Sequence, residues 1–131
     1  VAANYIFGLP EDTEKSLKFT YDFAEETNSE MVNFYSAMAY PGSPLFLEAR
    51  KNGIELPSTY SGYSQHSYDT LNLSTTKLSA GQILKFRDEA WMKYHTNEKY
   101  LNLIKEKFGQ NAVDNIKTTT GIKLKRKLLG D

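Results

Sequence analysis

Met31-Val32-Asn33-Phe34-Tyr35-Ser36-Ala37-Met38-Ala39 is apolar on both of its alternating faces. Val32, Phe34 and Met38 lie on one side; Met31, Tyr35, Ala37 and Ala39 lie on the other. A strand buried on both sides belongs in a parallel sheet covered by helices. Tyr40-Pro41-Gly42 ends it. Upstream, residues 2–7 form a second short apolar run, stopped by Gly8-Leu9-Pro10. Between the two, the spacing predicts a helix over 14–27, capped by Asp12 or Thr13. Leu17, Tyr21 and Ala24 form its inner stripe, widened by Phe23 and Thr20. Ser43 and Pro44 open a further short helix, and Gly53 lies past its end. Residues 1–57 therefore read as a βαβα unit, and two strands do not make a stable parallel sheet alone. Val1 is not an initiator Met, and the run at 2–7 reads as a strand already under way. The expectation is a piece of a longer protein whose other strands lie upstream.

Residues 54–77 show no period. Their tyrosine-rich part, 58–77, carries Tyr60, Tyr63 and Tyr68 and reads as an ordered connection lying against a surface. Residues 78–131 read as helical. Ser79 with Gln82 forms a capping box for a helix over 80–96, with Ile83, Ala90, Trp91 and Tyr94 on its buried face. Asn97 caps a helix over 98–108, with Tyr100, Leu101, Ile104 and Phe108 inward and Gly109 as its stop. A third helix, 111–118, carries Val113 and Ile116, and the tail from Ile122 to Leu129 is basic and amphipathic.

The 131 residues carry 16 basic and 16 acidic side chains, for no net charge. The balance conceals an asymmetry: residues 1–57 hold nine acids against four bases, and residues 58–131 hold twelve bases against seven acids. An acidic part docked on a basic one is one reading; two segments with different tasks is the other. With no cysteine, the chain itself supplies no disulfide, no thiolate nucleophile and no cysteine-held cluster. No apolar run approaches the ~20 residues that span a bilayer, and no signal-peptide pattern opens the chain. A soluble, cytoplasmic protein without membrane contact is expected.

Ligands of α/β folds bind beyond the carboxyl ends of strands. Two such ends, Gly8-Leu9-Pro10-Glu11-Asp12 and Ala39-Tyr40-Pro41-Gly42-Ser43, would face the same side of a parallel sheet and could line one pocket. Taken residue by residue, both also read as plain turns that lead into capped helices. The first is not a phosphate-binding loop or a dinucleotide fingerprint, because glycine spacing and lysine are absent. His66 and His95 sit in no metal-ligand spacing and read as structural. Arg87, Asp88 and Glu89 beside Trp91 read equally as a buried polar pair or as a solvated face. Lys123, Lys125, Arg126 and Lys127 read as a solvated helical face rather than a phosphate contact, since no aromatics interleave them.

The ordered series sharpens this. Asn4-Tyr5-Ile6-Phe7-Gly8-Leu9-Pro10-Glu11-Asp12-Thr13, a helix, then Phe34-Tyr35-Ser36-Ala37-Met38-Ala39-Tyr40-Pro41-Gly42-Ser43-Pro44-Leu45 resembles the fifth and sixth βα units of a radical S-adenosylmethionine enzyme. The segments around Phe86-Arg87-Asp88-Glu89-Ala90-Trp91, Lys107-Phe108-Gly109 and Lys125-Arg126-Lys127-Leu128-Leu129 are similar to the C-terminal regions of members with a cobalamin-binding domain, such as anaerobic magnesium-protoporphyrin ester cyclase. The resemblance implies the last two units of a partial TIM-type barrel followed by a helical extension. It implies that Ile6 packs on the adenine of S-adenosylmethionine, that Gly8 permits the turn beneath it, and that Glu11 supports the loop. Backbone near Ala39 and Tyr40 would bracket the adenine. In the family's GxIxGxxE-like pattern the first glycine is replaced here by Asn4.

The family's [4Fe–4S] cluster is held by a CxxxCxxC loop after the first strand, and this chain has no cysteine. Cluster ligands, the remaining S-adenosylmethionine contacts and any cobalamin domain would then belong to the missing N-terminal part of the same chain. The segment alone would be inactive, with no catalytic residue of its own and a small-molecule substrate that is unknown. A different class of reading is an independent α/β–helical interaction module whose basic C-terminal half binds an acidic partner or nucleic acid.

Overall fold

A computed structural model describes residues 1–131 as a mixed α/β fold. β1 (Ala2–Phe7) and β2 (Met31–Ser36) pair in parallel, Ala2 opposite Met31 and Phe7 opposite Ser36. α1 (Glu14–Thr27) joins them, and α2 (Pro44–Lys51) follows β2. A 3-10 turn at Tyr60–Tyr63 interrupts the connection. Then come α3 (Ala80–His95), α4 (Glu98–Phe108), α5 (Gln110–Thr120) and a last 3-10 turn, Lys127–Leu129.

Local chemistry sets the helix ends. Thr13 accepts from the Ser16 N–H while the Ser16 side chain accepts from the Thr13 N–H, which satisfies two donors that the helix itself cannot pair. Ser79 and Gln82 do the same for α3, and Ser43 with Pro44 starts α2. Asn28 closes α1 in the left-handed region, at φ 49°.

One core joins the first strands to the later helices. Phe7, Leu17, Tyr21, Ala24, Val32 and Phe34 pack with Ile83, Ala90, Tyr94, Tyr100, Ile104 and Val113. Phe34 sits at its centre, with ring centroids 5.6 Å from Tyr5, 5.6 Å from Phe7 and 5.7 Å from Tyr94. Each such pair adds about 0.5–1.5 kcal/mol to the area it buries. The hydroxyls of Tyr94 and Tyr100 donate to the carbonyls of Ser29 and Glu30, tying α3 and α4 to the turn before β2. The acidic and basic parts also meet here: Lys107 pairs with Glu30, and Lys99 donates to the carbonyls of Glu25 and Glu26. Both contacts draw part of the basic charge onto the chain's own acidic part.

Several expectations are corrected. β2 ends at Ser36, and only one of its faces is covered: Val32 and Phe34 are buried, whereas Met31 is 64% exposed. Both α1 and α3 pack on the covered face, so nothing within these residues shields the other. Phe23 does not widen the inner stripe of α1, and Phe108 does not point inward; both are exposed. The tail is not a solvated helix. It runs extended into a 3-10 turn, and Arg126 within it is fully buried.

The two sheet edges differ. In the ladder, the Val1 and Phe7 carbonyls accept from Met31 and Ala37, so the backbone groups of Ala2, Asn4 and Ile6 point away from β2. No strand pairs with them. The outer edge of β2 is closed by side chains. Gln65 offers its amide as a strand would, accepting from the Ser36 N–H at 3.0 Å and donating to the Ser36 carbonyl at 2.9 Å. Arg87 Nε donates to the Phe34 carbonyl at 2.8 Å. An open, partly apolar edge templates pairing with another strand, so the 131-residue chain is expected to associate as its concentration rises. Proline tolerates an edge position whose N–H faces solvent. Asn4→Pro should therefore restore a monomer with little loss of stability, as read by light scattering; association unchanged by Asn4→Pro would place the contact elsewhere.

His95 is 9% exposed, stacked on Trp91, and its Nδ1 lies 2.8 Å from the Trp91 carbonyl. Burial pushes its imidazole below the ordinary histidine value, partly offset by the Trp91 carbonyl. The folded state therefore prefers the neutral ring, while the unfolded chain protonates near pH ~6.5. Stability is complete above that value and declines as pH falls through it. Urea melts at pH 7.5 and 5.5 should differ by less in His95→Gln than in the parent; an equal difference would assign the acid sensitivity to other groups.

Candidate functional site

Because the strands are parallel, the loops after Phe7 and Ser36 leave the sheet side by side, and the Ala37 N–H extends the ladder to the Phe7 carbonyl at 2.8 Å. The first loop is held by Asp12. Its carboxylate accepts from the N–H groups of Gly8 and Leu9 at 2.9 and 3.0 Å and from the Ser16 hydroxyl at 2.6 Å. From sequence Asp12 is a candidate helix cap; here Thr13 caps, and Asp12 folds the loop back on itself. The signal that could have found it is an acid four residues after a turn glycine, a weak one.

Gly8 is buried, at φ 88°, a conformation that side chains rarely adopt. A Cβ there would lie 2.7 Å from Ile83 Cγ2. Glycine is thus required by the approach of α3 as well as by the turn. Glu11 is exposed and makes no hydrogen bond within the chain. Ile6 is 47% exposed on the uncovered sheet face, beside Asn4, Met31, Asn33 and Tyr35. Asn33 donates to the Asn4 side-chain oxygen across this face at 2.9 Å. Asn4, the departure from the family pattern, is therefore one half of a cross-strand pair.

In the second loop Ala39 is buried against Ala49 and Leu73, and no hydrogen bond within the chain uses its backbone. Tyr40 is exposed and stacks on Tyr63 at 5.8 Å, while its carbonyl accepts from both the N–H and the hydroxyl of Ser43. Beside this loop, Pro41, Phe46, Arg50, Leu56 and Tyr63 border an open hollow of about 530 Å³. The structure thus brings Gly8 and Ala39 to one end of the sheet with Ile6 on its bare face, and leaves Glu11 and Tyr40 turned to solvent. His66 is exposed, with its imidazole held below the ordinary value by partial burial and by Arg87 and Arg126. No three His, Asp or Glu side chains converge as a metal site.

The chain matches no family model, no curated protein and no solved structure. No helix is long and apolar enough to cross a membrane.

Sequence reasoning leaves the triplet Arg87, Asp88 and Glu89 open, and the structure separates its members. Arg87 is 5% exposed and donates to the Asp88 carboxylate at 2.9 Å; Glu89 is exposed beside Lys85. Asp88 also receives the Nε and Nη2 of Arg126 at 2.9 Å each, and Arg126 donates further to the carbonyls of Gln65 and Ser67. Asp88 and Arg126 together therefore join α3, the tyrosine-rich connection and the C-terminal tail. Spacing cannot reveal this, because the partners lie 38 and about 60 residues apart along the chain.

Proposed function

We propose that the chain is the terminal part of a radical S-adenosylmethionine enzyme, the last two βα units of a partial TIM-type barrel with a helical extension. The observation that carries this reading is the asymmetry of the sheet. β2 is finished, its outer edge taken up by Gln65 and Arg87, while β1 is open. The helices cover one face only, as the outside of a barrel requires, and the bare face would then line the lumen. Phe19 and Phe23 of α1 are 72% and 55% exposed, and Phe23 meets Tyr5 of β1, so an apolar helix surface adjoins the open edge. A preceding βα unit of the same protein would cover both.

On this reading Ile6 presents its side chain to the adenine of S-adenosylmethionine, Gly8 keeps the loop low beneath it, and the free backbone of Ala39 with Tyr40 borders its edge. Glu11 would act on the loop rather than on the cofactor. A [4Fe–4S] cluster and S-adenosylmethionine together supply hydrogen abstraction from the substrate; residues 1–131 orient the cofactor and exclude water from one wall. The chain has no cysteine, so the cluster ligands would be upstream, as would any cobalamin domain. The interaction-module reading draws on fewer free charges than the composition suggests, since Arg126 is buried and Lys107 and Lys99 are engaged.

The test uses the protein that carries these residues together with its upstream sequence, reconstituted anaerobically with iron and sulfide. Reductive cleavage of S-adenosylmethionine to 5′-deoxyadenosine is expected. Ile6→Asp should raise the apparent KM for S-adenosylmethionine at least tenfold, about 1.4 kcal/mol, without loss of the cluster. Absence of both cluster and deoxyadenosine would overturn the reading.

A further inference from the structure

A cleft of about 680 Å³ lies apart from both strand-end loops, between α3 and the C-terminal tail. That falls within the range of small-molecule sites. On one side stand Lys85, Asp88, Glu89 and Met92, the i, i+3, i+4 and i+7 positions of α3, flanked by Arg87 and Trp91. Opposite them the tail contributes Ile122, Leu124 and Leu129. The walls are thus mainly apolar, and the polar groups gather around Arg87 and Asp88.

The charges there are unevenly engaged. The acids are engaged: Glu89 lies 3.7 Å from Lys85, Asp131 lies 3.8 Å from Lys123 and accepts from the Arg126 N–H, and Asp88 is shared by two guanidinium groups. One carboxylate, that of Asp88, faces the two guanidinium groups of Arg87 and Arg126. Arg126 distributes its Nε, Nη1 and Nη2 among Asp88, Ser67 and Gln65. Arg87 does not: Nε and Nη1 are taken by Phe34 and Asp88, and Nη2 has no partner within the chain. Arg87 Nη2 keeps access to open space and is a donor available to a bound acceptor.

We propose that this cleft binds an apolar small molecule bearing a single carboxylate, its anion on Arg87 Nη2 and its body between Trp91, Met92 and the apolar residues of the tail. A fork of guanidinium donors suits a carboxylate better than it suits a neutral polar head. A single spare donor group, Arg87 Nη2, suits one anionic head, and a cation would meet two arginines. The cleft shares no residue with the strand-end loops or with the open edge of β1; Arg87 alone serves both this site, through Nη2, and the outer edge of β2, through Nε.

Trp91 is the chain's one tryptophan and lines the cleft, so its emission reports occupancy. The probe is dodecanoate below its critical micelle concentration, with dodecanol and dodecyltrimethylammonium as comparisons. Dodecanoate should change the Trp91 emission saturably and bind at least tenfold more tightly than dodecanol, and the cationic amphiphile should give no saturable change. Arg87→Gln should abolish the preference for dodecanoate over dodecanol. Because Arg87 also holds the Phe34 carbonyl, Met92→Glu provides a second reading: a carboxylate on the wall should weaken dodecanoate at least tenfold and leave the circular dichroism unchanged. Equal binding of all three probes, no saturable change with dodecanoate, or dodecanoate binding undiminished in a folded Met92→Glu chain would overturn the proposal.

Discussion

Asp88→Ala is expected to destabilise the chain by about 3 kcal/mol, toward the lower end of the range for removing one partner of a buried ion pair. Asp88 keeps 24% of its side-chain surface, but its partners do not: the side chains of Arg87 and Arg126 retain 6% and 1%. Alanine would leave both guanidinium groups buried beside each other with no anion between them. The loss should also be local. The Lys127 N–H donates to the Tyr68 carbonyl and the Tyr68 hydroxyl to the Asp131 carbonyl, so the tail is held by contacts that depend on Arg126 staying in place. Hydrogen exchange at Arg126 and Lys127 should rise far more than in α1, and the melting temperature should fall by ~10 °C. Arg126→Met, which replaces a buried charge with apolar volume, should cost less than Asp88→Ala. A fall of under ~2 °C for Asp88→Ala would show that the carboxylate is dispensable.

Gly8→Ala combines two penalties. At φ 88° a side chain costs about 1–2 kcal/mol, and a Cβ 2.7 Å from Ile83 Cγ2 adds about 1–3 kcal/mol of overpacking in a core position that is 0% exposed. The expected total is about 2–5 kcal/mol. The two parts can be separated. Ile83→Ala removes the clash and leaves the backbone strain, so the double variant should be more stable than the sum of the singles by about 1–2 kcal/mol. Additive losses would mean that Ile83 moves aside at no cost and that the conformation alone demands glycine. Whether Gly8 also serves a cofactor is a separate matter, read from KM and not from stability.

Much of the architecture is legible in the residues. The helix starts are written in short-range chemistry, Ser79 with Gln82, Ser43 with Pro44 and Asn97 before α4, and such caps act over three or four residues. The inner stripe Leu17, Tyr21 and Ala24 follows from period alone. What period cannot convey is which apolar residues find cover. Met31 and Ile6 have the pattern of buried residues and lie on the bare side of the sheet, because every helix that reaches the strands packs on the other side. Arg126 fails in the opposite sense. Set among lysines it reads as solvated, yet its burial is decided by Asp88 and by two loop carbonyls that no local pattern announces. At the candidate site the turn residues are visible from sequence, whereas the roles of Asp12, which ties the loop, and of Ile83, which crowds Gly8, depend on folding first.

Gln65 carries a consequence for stoichiometry. A sheet with two open edges can add neighbours without limit, in the manner of a fibre. By spending the Gln65 amide on Ser36 and the Arg87 Nε on Phe34, this chain keeps a single open edge. Two copies that join through β1 use up both of their open edges and form a closed four-stranded sheet, so growth stops at two. Removing both stoppers, with Gln65→Ala and Arg87→Ala, would give each copy a second edge, and the same backbone would then be able to polymerise.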